Sequence, residues 1–138
     1  HGCLSVIAPY IGPDPIHTTD VVRILDNSHF EWMGRLDLVI NSGGVKIHPE
    51  SLEKAHEKYF SFPFFYSGIA HDLLGEQLVL VVLEEDLKNA QANLTKISFD
   101  QKFYKPKGIL TVPEFLYTHT YKLRRKDTLA LGYNMHHL

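Results

Sequence analysis

The sequence has little of what would cross-link a small protein or hold it in a membrane. Cys3 is its only cysteine in 138 residues, which excludes an internal disulfide framework and argues against a cysteine-based zinc site. The longest apolar run, Leu78–Leu83, has the length of a strand, whereas a membrane helix needs roughly 18–20 apolar residues. Apolar residues make up 44% of the chain and charged residues 22%, so we expect a globular protein that folds around its own core.

Several signatures of chemistry are also missing. The nine histidines are scattered and form no helical i, i+4 pair, so we expect no native metal site. No serine occupies the middle of a Gly-x-Ser-x-Gly turn, which argues against nucleophilic hydrolysis of that type. The first residue is His1 and no charged-then-apolar leader follows it, so we expect a processed or truncated piece of a longer protein. We also expect a cytoplasmic protein without a transmembrane segment.

Charge is distributed unevenly along the chain, although the net charge is only −2. Residues 1–101 hold 7 Lys and Arg against 14 Asp and Glu, whereas residues 102–138 hold 7 against 2. A basic end of this kind can attract a phosphate or another acidic ligand, and it can equally be the solvated end of a helix. The basic residues are too few, and too poorly accompanied by aromatic residues, to predict nucleic-acid binding.

The residue pattern predicts an α+β fold with a small central sheet of about three strands, flanked by helices and preceded by short strands. Two hairpins are expected in the first 47 residues, the second of them starting at Leu38 and turning through residues 41–44. A helix should begin at Pro49 and turn one apolar stripe inward. Further strands are expected at residues 64–71, 76–84 and 108–112, and helices at 86–98 and 124–131. The inward stripe of the first helix consists of Leu52, Ala55, His56 and Tyr59, and the end of the chain around His136–His137 should be frayed.

Three segments carry residues that could do chemistry. In the first, Gly34–Glu53, Arg35 and Asp37 precede the pair Gly43–Gly44, whose backbone can take conformations that side chains forbid. The second and third are 17–22, where Asp20 could accept hydrogen bonds from a diol, and 118–125, where Lys122 could meet an anion. Taken singly, each has a simpler interpretation: a surface ion pair in a hairpin, a carboxylate that ends a turn, or a solvated lysine.

The order and spacing of these segments resemble one family. Thr-Thr-Asp is followed about 15 residues later by Gly-Arg-Leu-Asp, then by Ser-Gly-Gly-x-x-Ile-x-Pro-Glu, Tyr-Lys-Pro and Thr-x-Thr-x-Lys-Leu-x-Arg. This series resembles the C-terminal part of the adenylate-forming ligases, which include acyl- and aryl-CoA synthetases and peptide-synthetase adenylation domains. The resemblance covers nearly the whole chain. Within the family, the sequence is most similar to the o-succinylbenzoate–CoA ligases of menaquinone biosynthesis.

The resemblance implies roles for individual residues in binding ATP. Asp20 matches the aspartate that holds the ribose hydroxyls, and Arg35 matches the arginine that contacts the ribose and phosphate region. Asp37 matches the hinge between domains. Lys122 matches the catalytic lysine that reaches the substrate carboxylate and the α-phosphate during adenylation, where a positioned cation stabilises accumulating negative charge.

The same resemblance implies a CoA-binding loop at Gly43, Gly44 and Val45, with Lys46 flanking it. Two positions depart from the family pattern. The usual Thr-Gly-Asp is Thr-Thr-Asp here, with Thr19 in place of the glycine, and the glycine that usually precedes the catalytic lysine is Tyr121. A tyrosine disfavours backbone conformations that glycine adopts freely.

The implied whole is an enzyme that activates a carboxylic acid as acyl-AMP and transfers it to CoA. Residues 1–34 would be the β-rich tail of its N-terminal domain and residues 35–138 its C-terminal lid domain. ATP, CoA and a small carboxylic acid are the implied ligands, with Mg²⁺ bound mainly by the N-terminal domain, which is also the implied partner. Other acyl- or aryl-CoA ligases, an amino-acid adenylation domain and a non-catalytic free-standing lid domain remain open.

Overall fold

The computed structural model describes residues 1–100 and 102–138, which divide into two compact units, His1–Val39 and Ile40–Leu138. The boundary between the units follows Val39, five residues after the predicted domain boundary at residue 34. Whether the first unit is the end of another domain stays a prediction.

The first unit is a three-stranded antiparallel sheet. Its strands are β1 (Gly2–Val6), β2 (Ile16–Ile24) and β3 (Phe30–Arg35), in the order β1-β2-β3. β2 and β3 form the first predicted hairpin, turning where the Asp26 carboxylate accepts a hydrogen bond from the Ser28 N–H, as turn-forming residues do. A short 3-10 helix, Leu36–Leu38, follows β3.

The second unit contains a six-stranded sheet with three helices. Its order is β5-β4-β7-β8-β9, with β6 also paired to β7. β7 runs parallel to β8 and antiparallel to β6. The strands are β4 (Ile40–Ser42), β5 (Val45–Ile47), β6 (Phe64–His71), β7 (Gly75–Leu83), β8 (Gly108–Val112) and β9 (Asn134–His137), and the helices are α1 (Pro49–His56), α2 (Leu87–Leu94) and α3 (Arg125–Ala130).

The core lies on both faces of this sheet. Leu78, Leu80 and Val82 of β7 point to one cluster, and Val79 and Val81 point to the other, because successive side chains of a strand alternate between faces. All five side chains are fully buried, which explains why β7 is an almost uninterrupted apolar run. The first cluster includes residues of α2, and the second is covered by residues that flank and form α3.

The α+β class is confirmed, and three expectations about its details need correction. The sheet has six strands, not about three, because the β4–β5 hairpin meets β7 at Ser42 and Gly75 and because β9 pairs with β8. The end of the chain is therefore a strand, so the expected fraying around His136–His137 is wrong. Ala55 is exposed because it lies at the edge of the helical stripe that Leu52, His56 and Tyr59 form.

Most other elements agree with expectation within a few residues. β6 and β8 have the predicted bounds, and α1 begins at Pro49, which is tolerated in a first helical turn. The β4–β5 hairpin begins at Ile40 because Leu38 belongs to the 3-10 helix. α2 begins one residue later than predicted, directly after the 3-10 helix Glu84–Asp86, and it ends four residues earlier, at Leu94. No helix in the described part of the chain is long and apolar enough to cross a membrane.

Candidate functional site

The first unit brings two predicted nucleotide-binding residues together. Asp20 of β2 and Arg35 of β3 are direct partners in the antiparallel register, so their side chains leave the sheet on the same face. Asp20 is partly buried, and its backbone N–H donates to Thr18 Oγ1 at 3.2 Å. The two residues are 15 positions apart in the sequence, and the hairpin places them opposite each other in space.

Arg35 is also tied to the predicted hinge. Its Nε lies 3.0 Å and its Nη2 3.5 Å from the two carboxylate oxygens of Asp37, which stands in the 3-10 helix Leu36–Leu38. Both side chains are about half exposed, so this pair contributes little to stability. Asp37 lies two residues before the boundary between the units, which is where a hinge between them would be expected.

Thr19 replaces the glycine of the family pattern without backbone strain. It is exposed within β2, and Tyr121 is the sole non-glycine residue with a positive φ in the described ranges. A β-strand conformation suits a β-branched residue, so this departure leaves the Asp20 carboxylate in place.

In the second unit, the predicted CoA-binding loop is a tight two-residue turn between β4 and β5. Gly43 and Gly44 have φ values of 58° and 82°, the sign that a type I′ hairpin turn requires at both central positions. The Gly43 N–H donates to the Leu74 carbonyl at 2.9 Å, which fastens this turn to the one between β6 and β7. No atom lies within 4 Å of where a Gly44 Cβ would be, so the turn faces open space.

The neighbours of this turn differ in their availability to a ligand. Val45 is partly buried against the larger core cluster, so its side chain supports the hairpin. Lys46 is exposed beside it. The surface that a ligand could reach at this loop is therefore the glycine backbone together with the Lys46 side chain.

Lys122 lies at the end of a small hairpin that Tyr117 and Leu123 close through an isolated bridge. The Thr118 N–H donates to the Lys122 carbonyl at 2.8 Å, and the Tyr121 N–H donates to the Thr118 carbonyl at 2.9 Å. This is the bonding of a three-residue hairpin loop whose last position is left-handed, a position that favours glycine. Tyr121 occupies it with a φ of 64°. The backbone thus takes the glycine-favouring conformation with a tyrosine in place.

The Lys122 ammonium is exposed and forms no ion pair with any residue that the structure describes. The Lys122 backbone, in contrast, is fixed at both polar groups, because its N–H also donates to Thr118 Oγ1 at 3.1 Å. An unpaired cation on a fixed backbone is suited to meet an anion that arrives from outside.

A buried ion pair fixes the chain immediately after this hairpin. Arg125, the first residue of α3, donates to both Glu53 oxygens at 2.5 and 2.6 Å, and both side chains are less than one-fifth exposed. Glu53 of α1 also accepts the Tyr66 N–H at 2.9 Å. Burial raises the pKa of the Glu53 carboxyl and the Arg125 hydrogen bonds oppose that shift. Desolvation would lower the pKa of Arg125, yet its contacts with Glu53 raise it.

Sequence reasoning does not single out three of the residues that shape these sites. In the sequence, Glu53 and Arg125 are only the last residues of the segments Gly34–Glu53 and 118–125. Their pairing spans 72 positions, so no local pattern indicates it. Trp32, which donates to Asp20, was also not singled out, although it is the single tryptophan of the sequence.

Several solved structures are similar to this chain. An acyl-CoA synthetase (AMP-forming)/AMP-acid ligase II-like protein from Dyadobacter fermentans is 30% identical over 95% of this chain, with a TM-score of 0.57. The o-succinylbenzoate CoA synthetase (MenE) from Bacillus subtilis, in complex with the acyl-adenylate OSB-AMP, is 19% identical over 90% of this chain, with a TM-score of 0.63. ATP-bound MatB from Rhodopseudomonas palustris is 18% identical over 82%, with a TM-score of 0.62.

The fold is that of the C-terminal part of the adenylate-forming enzymes. This likeness supports the superfamily that the sequence motifs resemble. The chain spans 39% of the Dyadobacter protein, 26% of the Bacillus protein and 23% of the Rhodopseudomonas protein. No protein-family model and no curated protein matches it.

Proposed function

We propose that this chain is the C-terminal portion of an AMP-forming acyl-CoA ligase that activates a carboxylic acid as acyl-AMP and then transfers the acyl group to CoA. One observation carries the proposal: Lys122 presents an exposed ammonium, with no ion pair among the described residues, from a fixed hairpin whose backbone has the glycine-favouring conformation at residue 121. The register that joins Asp20 and Arg35 supports it independently.

In the first half-reaction, a carboxylate oxygen of the acid attacks the α-phosphorus of ATP and pyrophosphate leaves. Asp20 would accept hydrogen bonds from the ribose hydroxyls, and Arg35 would contact the ribose and phosphate region. The Lys122 ammonium would lie between the carboxylate and the α-phosphate, where two anions approach each other. A cation positioned there stabilises the transition state more than the ground state.

In the second half-reaction, the CoA thiol attacks the acyl carbonyl and AMP leaves. The exposed Gly43–Gly44 turn would line the path of the pantetheine arm, where side chains at its tip would obstruct the thiol. Lys46 would flank that path. Asp37 would be the hinge whose backbone rotation presents first Lys122 and then the glycine turn to the same active centre.

The proposed reaction also needs an N-terminal domain, which would be the partner of this chain. The phosphate-binding loop and the acyl pocket would lie in an N-terminal domain of the same enzyme. Among the described residues no three His, Cys, Asp or Glu side chains come together as metal ligands would, and Mg²⁺ would be held mainly by that N-terminal domain. A cytoplasmic location is included because the reaction consumes ATP and CoA.

The proposed acid is o-succinylbenzoate, which would place the enzyme in menaquinone biosynthesis. The support for this choice is the whole-chain pattern of the sequence and the similarity in fold to the Bacillus enzyme. A panel of acids that includes o-succinylbenzoate, medium-chain fatty acids and aryl acids tests it. Preferential pyrophosphate release with any other member of the panel would contradict the o-succinylbenzoate proposal and leave the ligase proposal standing.

Two variants of the full-length protein test the proposed division of labour. Lys122→Ala should slow pyrophosphate release in a single turnover by about a hundredfold or more, and should leave thioester formation from supplied acyl-adenylate within about twofold. Gly44→Leu should do the converse. Lys126→Ala, which removes an exposed lysine four residues away, is the matched control and should change neither step.

The outcomes separate the alternatives. Equal slowing of both steps by Lys122→Ala, or slowing of neither, would show that the lysine is structural. Adenylate formation without any thioester product would indicate an adenylation domain of another type.

A further inference from the structure

A β-bulge in the first unit changes which side chains accompany Asp20. Along the β2–β3 pair, Val21 is opposite Gly34, yet the next residue, Val22, is opposite Trp32, so that Met33 is an extra residue on β3. Gly34 has a φ of 142°, in the region that favours glycine. Because strand side chains alternate between faces, one extra residue moves Trp32 to the face that Asp20 and Arg35 share. A regular ladder would place Met33 there.

The bulge produces a specific contact. Trp32 Nε1 lies 3.2 Å from Asp20 Oδ1. An indole N–H can only donate and an ionised carboxylate can only accept, so this is a charge-assisted hydrogen bond. The Thr18 hydroxyl donates to the Leu4 carbonyl at 2.7 Å and accepts the Asp20 N–H, which fixes the backbone at the same point.

One oxygen of the Asp20 carboxylate therefore remains available to a ligand. Within the described ranges, Asp20 Oδ2 has no protein hydrogen-bond partner, while Oδ1 is held by Trp32. Trp32 is about half exposed and Asp20 is partly buried, so a ligand can reach the free oxygen. A carboxylate fixed at one oxygen and open at the other loses less rotational freedom when a hydroxyl binds to it.

We propose that Trp32 is a positioning residue that orients the Asp20 carboxylate toward the ribose hydroxyls of a ribonucleotide. The inference rests on the proposed function, which makes ATP the ligand of Asp20. It assigns to Trp32 part of the discrimination between ribose and deoxyribose, because a fixed acceptor is worth most to the ligand that carries both hydroxyls.

The contact itself can be tested on the 138-residue chain. Trp32 is the sole fluorescent indole, so its emission reports its own surroundings. Asp20→Asn should change the emission spectrum of the folded chain. Asp14→Asn, which removes an exposed carboxylate elsewhere in the same unit, is the control and should leave the spectrum unchanged. Identical spectra for Asp20→Asn and the unaltered chain would contradict the contact.

The positioning role is tested by steady-state kinetics of the full-length protein. Trp32→Phe keeps an aromatic ring and removes the N–H, and should raise the KM for ATP about three- to tenfold with kcat within about twofold, as expected for one hydrogen bond. The preference for ATP over 2′-deoxy-ATP in kcat/KM should fall by a similar factor. Trp32→His, which can still donate, should recover part of this preference. Phe30→Leu is the control for loss of an exposed aromatic side chain on the same strand.

The double variant Asp20→Asn/Trp32→Phe separates positioning from general disturbance of the sheet. If Trp32 acts through Asp20, the double variant should be no worse than Asp20→Asn alone. Unchanged KM and unchanged preference in Trp32→Phe would overturn the role of Trp32 while leaving the proposed function intact. Absence of ATP-dependent pyrophosphate release from the unaltered full-length protein would instead overturn the proposed function, and this inference with it.

Discussion

Tyr121 holds a backbone conformation that residues with a Cβ rarely adopt. Its φ is 64°, and its side chain is 87% exposed, so little packing compensates for the strain. The left-handed region costs a non-glycine residue roughly 1–2 kcal/mol. The hydrogen bonds of the hairpin around Thr118 and Lys122 hold the residue in this region.

Tyr121→Gly should therefore stabilise the chain. We expect the free energy of unfolding to rise by up to about 1 kcal/mol, because relief of strain exceeds the extra entropy that glycine gives the unfolded chain. Urea unfolding measures the change. Thr120→Gly, at the preceding exposed position, has no positive φ to relieve and should destabilise. A loss of stability in both variants would mean that the Tyr121 side chain contributes contacts of its own.

His56 is a buried titratable residue beside the core. Its Nδ1 lies 2.8 Å from the Tyr66 hydroxyl, and Phe99 and Tyr59 pack edge-on around the ring. Desolvation by burial, with a smaller contribution from the charge of Lys58, lowers the pKa of His56 below its ordinary value of 6.5. The folded state thus favours the neutral ring.

This lowered pKa predicts a loss of stability in acid. Below the ordinary histidine pKa the unfolded chain binds a proton that the folded chain resists, so the free energy of unfolding should fall as the pH drops from 6.5 toward the lowered value. His56→Gln should flatten the pH dependence of Tm in this window, whereas His119→Gln, at an exposed position, should not. Parallel curves for His56→Gln and the unaltered chain would assign the acid sensitivity to other groups.

At the scale of elements, the Glu53–Arg125 pair connects three of them. Glu53 belongs to α1, Arg125 begins α3, and both bond the backbone of Tyr66 in β6. Since Arg125 follows Lys122 by three residues, the pair also anchors the hairpin that carries the proposed catalytic lysine. A buried pair with two direct hydrogen bonds is costly to break on one side.

Glu53→Gln should lower the free energy of unfolding by about 3–5 kcal/mol, because it leaves the Arg125 guanidinium buried without its hydrogen-bonded counter-charge. Glu57→Gln, just beyond α1 and exposed, is the matched control and should change stability by less than about 0.5 kcal/mol. The double variant Glu53→Gln/Arg125→Met should recover much of the loss. If Glu53→Gln lowered the free energy of unfolding no more than Glu57→Gln does, the buried pair would contribute no more to stability than a surface ion pair.

At the scale of the whole molecule, the chain holds only some of the parts that the proposed reaction needs. It offers Lys122, the Asp20 carboxylate that is proposed to bind ribose, and a glycine turn, and it spans 39% of the Dyadobacter protein to which it is similar. The 138 residues incubated with ATP, CoA, Mg²⁺ and candidate acids should therefore release no pyrophosphate above the blank. Turnover by the chain itself would show that no further domain is needed.

The strands are predicted correctly where the local sequence has a residue pattern that favours strands. β6 and β8 have their predicted bounds because β6 is rich in aromatic residues and β8 in β-branched residues, both of which favour strands. β9 was missed because Asn134–His137 has no alternating apolar pattern, and it is a strand because the edge of β8 pairs with it. The hairpin at Gly43–Gly44 was predictable because two glycines favour the positive φ of a tight turn.

The sequence alone determined the α+β class, most element positions and the identity of the candidate residues Asp20, Arg35, Gly44 and Lys122, since local propensity acts within short stretches of chain and the order of the motifs is a property of the linear sequence. The tertiary structure decided which residues act together. The bulge at Met33 sets Trp32 beside Asp20, the sheet edge makes β9 a strand, and Arg125 reaches Glu53 across 72 positions. Such contacts depend on register and on packing between distant segments. One added residue in a strand moves every side chain beyond it to the opposite face of the sheet from the one that the sequence pattern predicts.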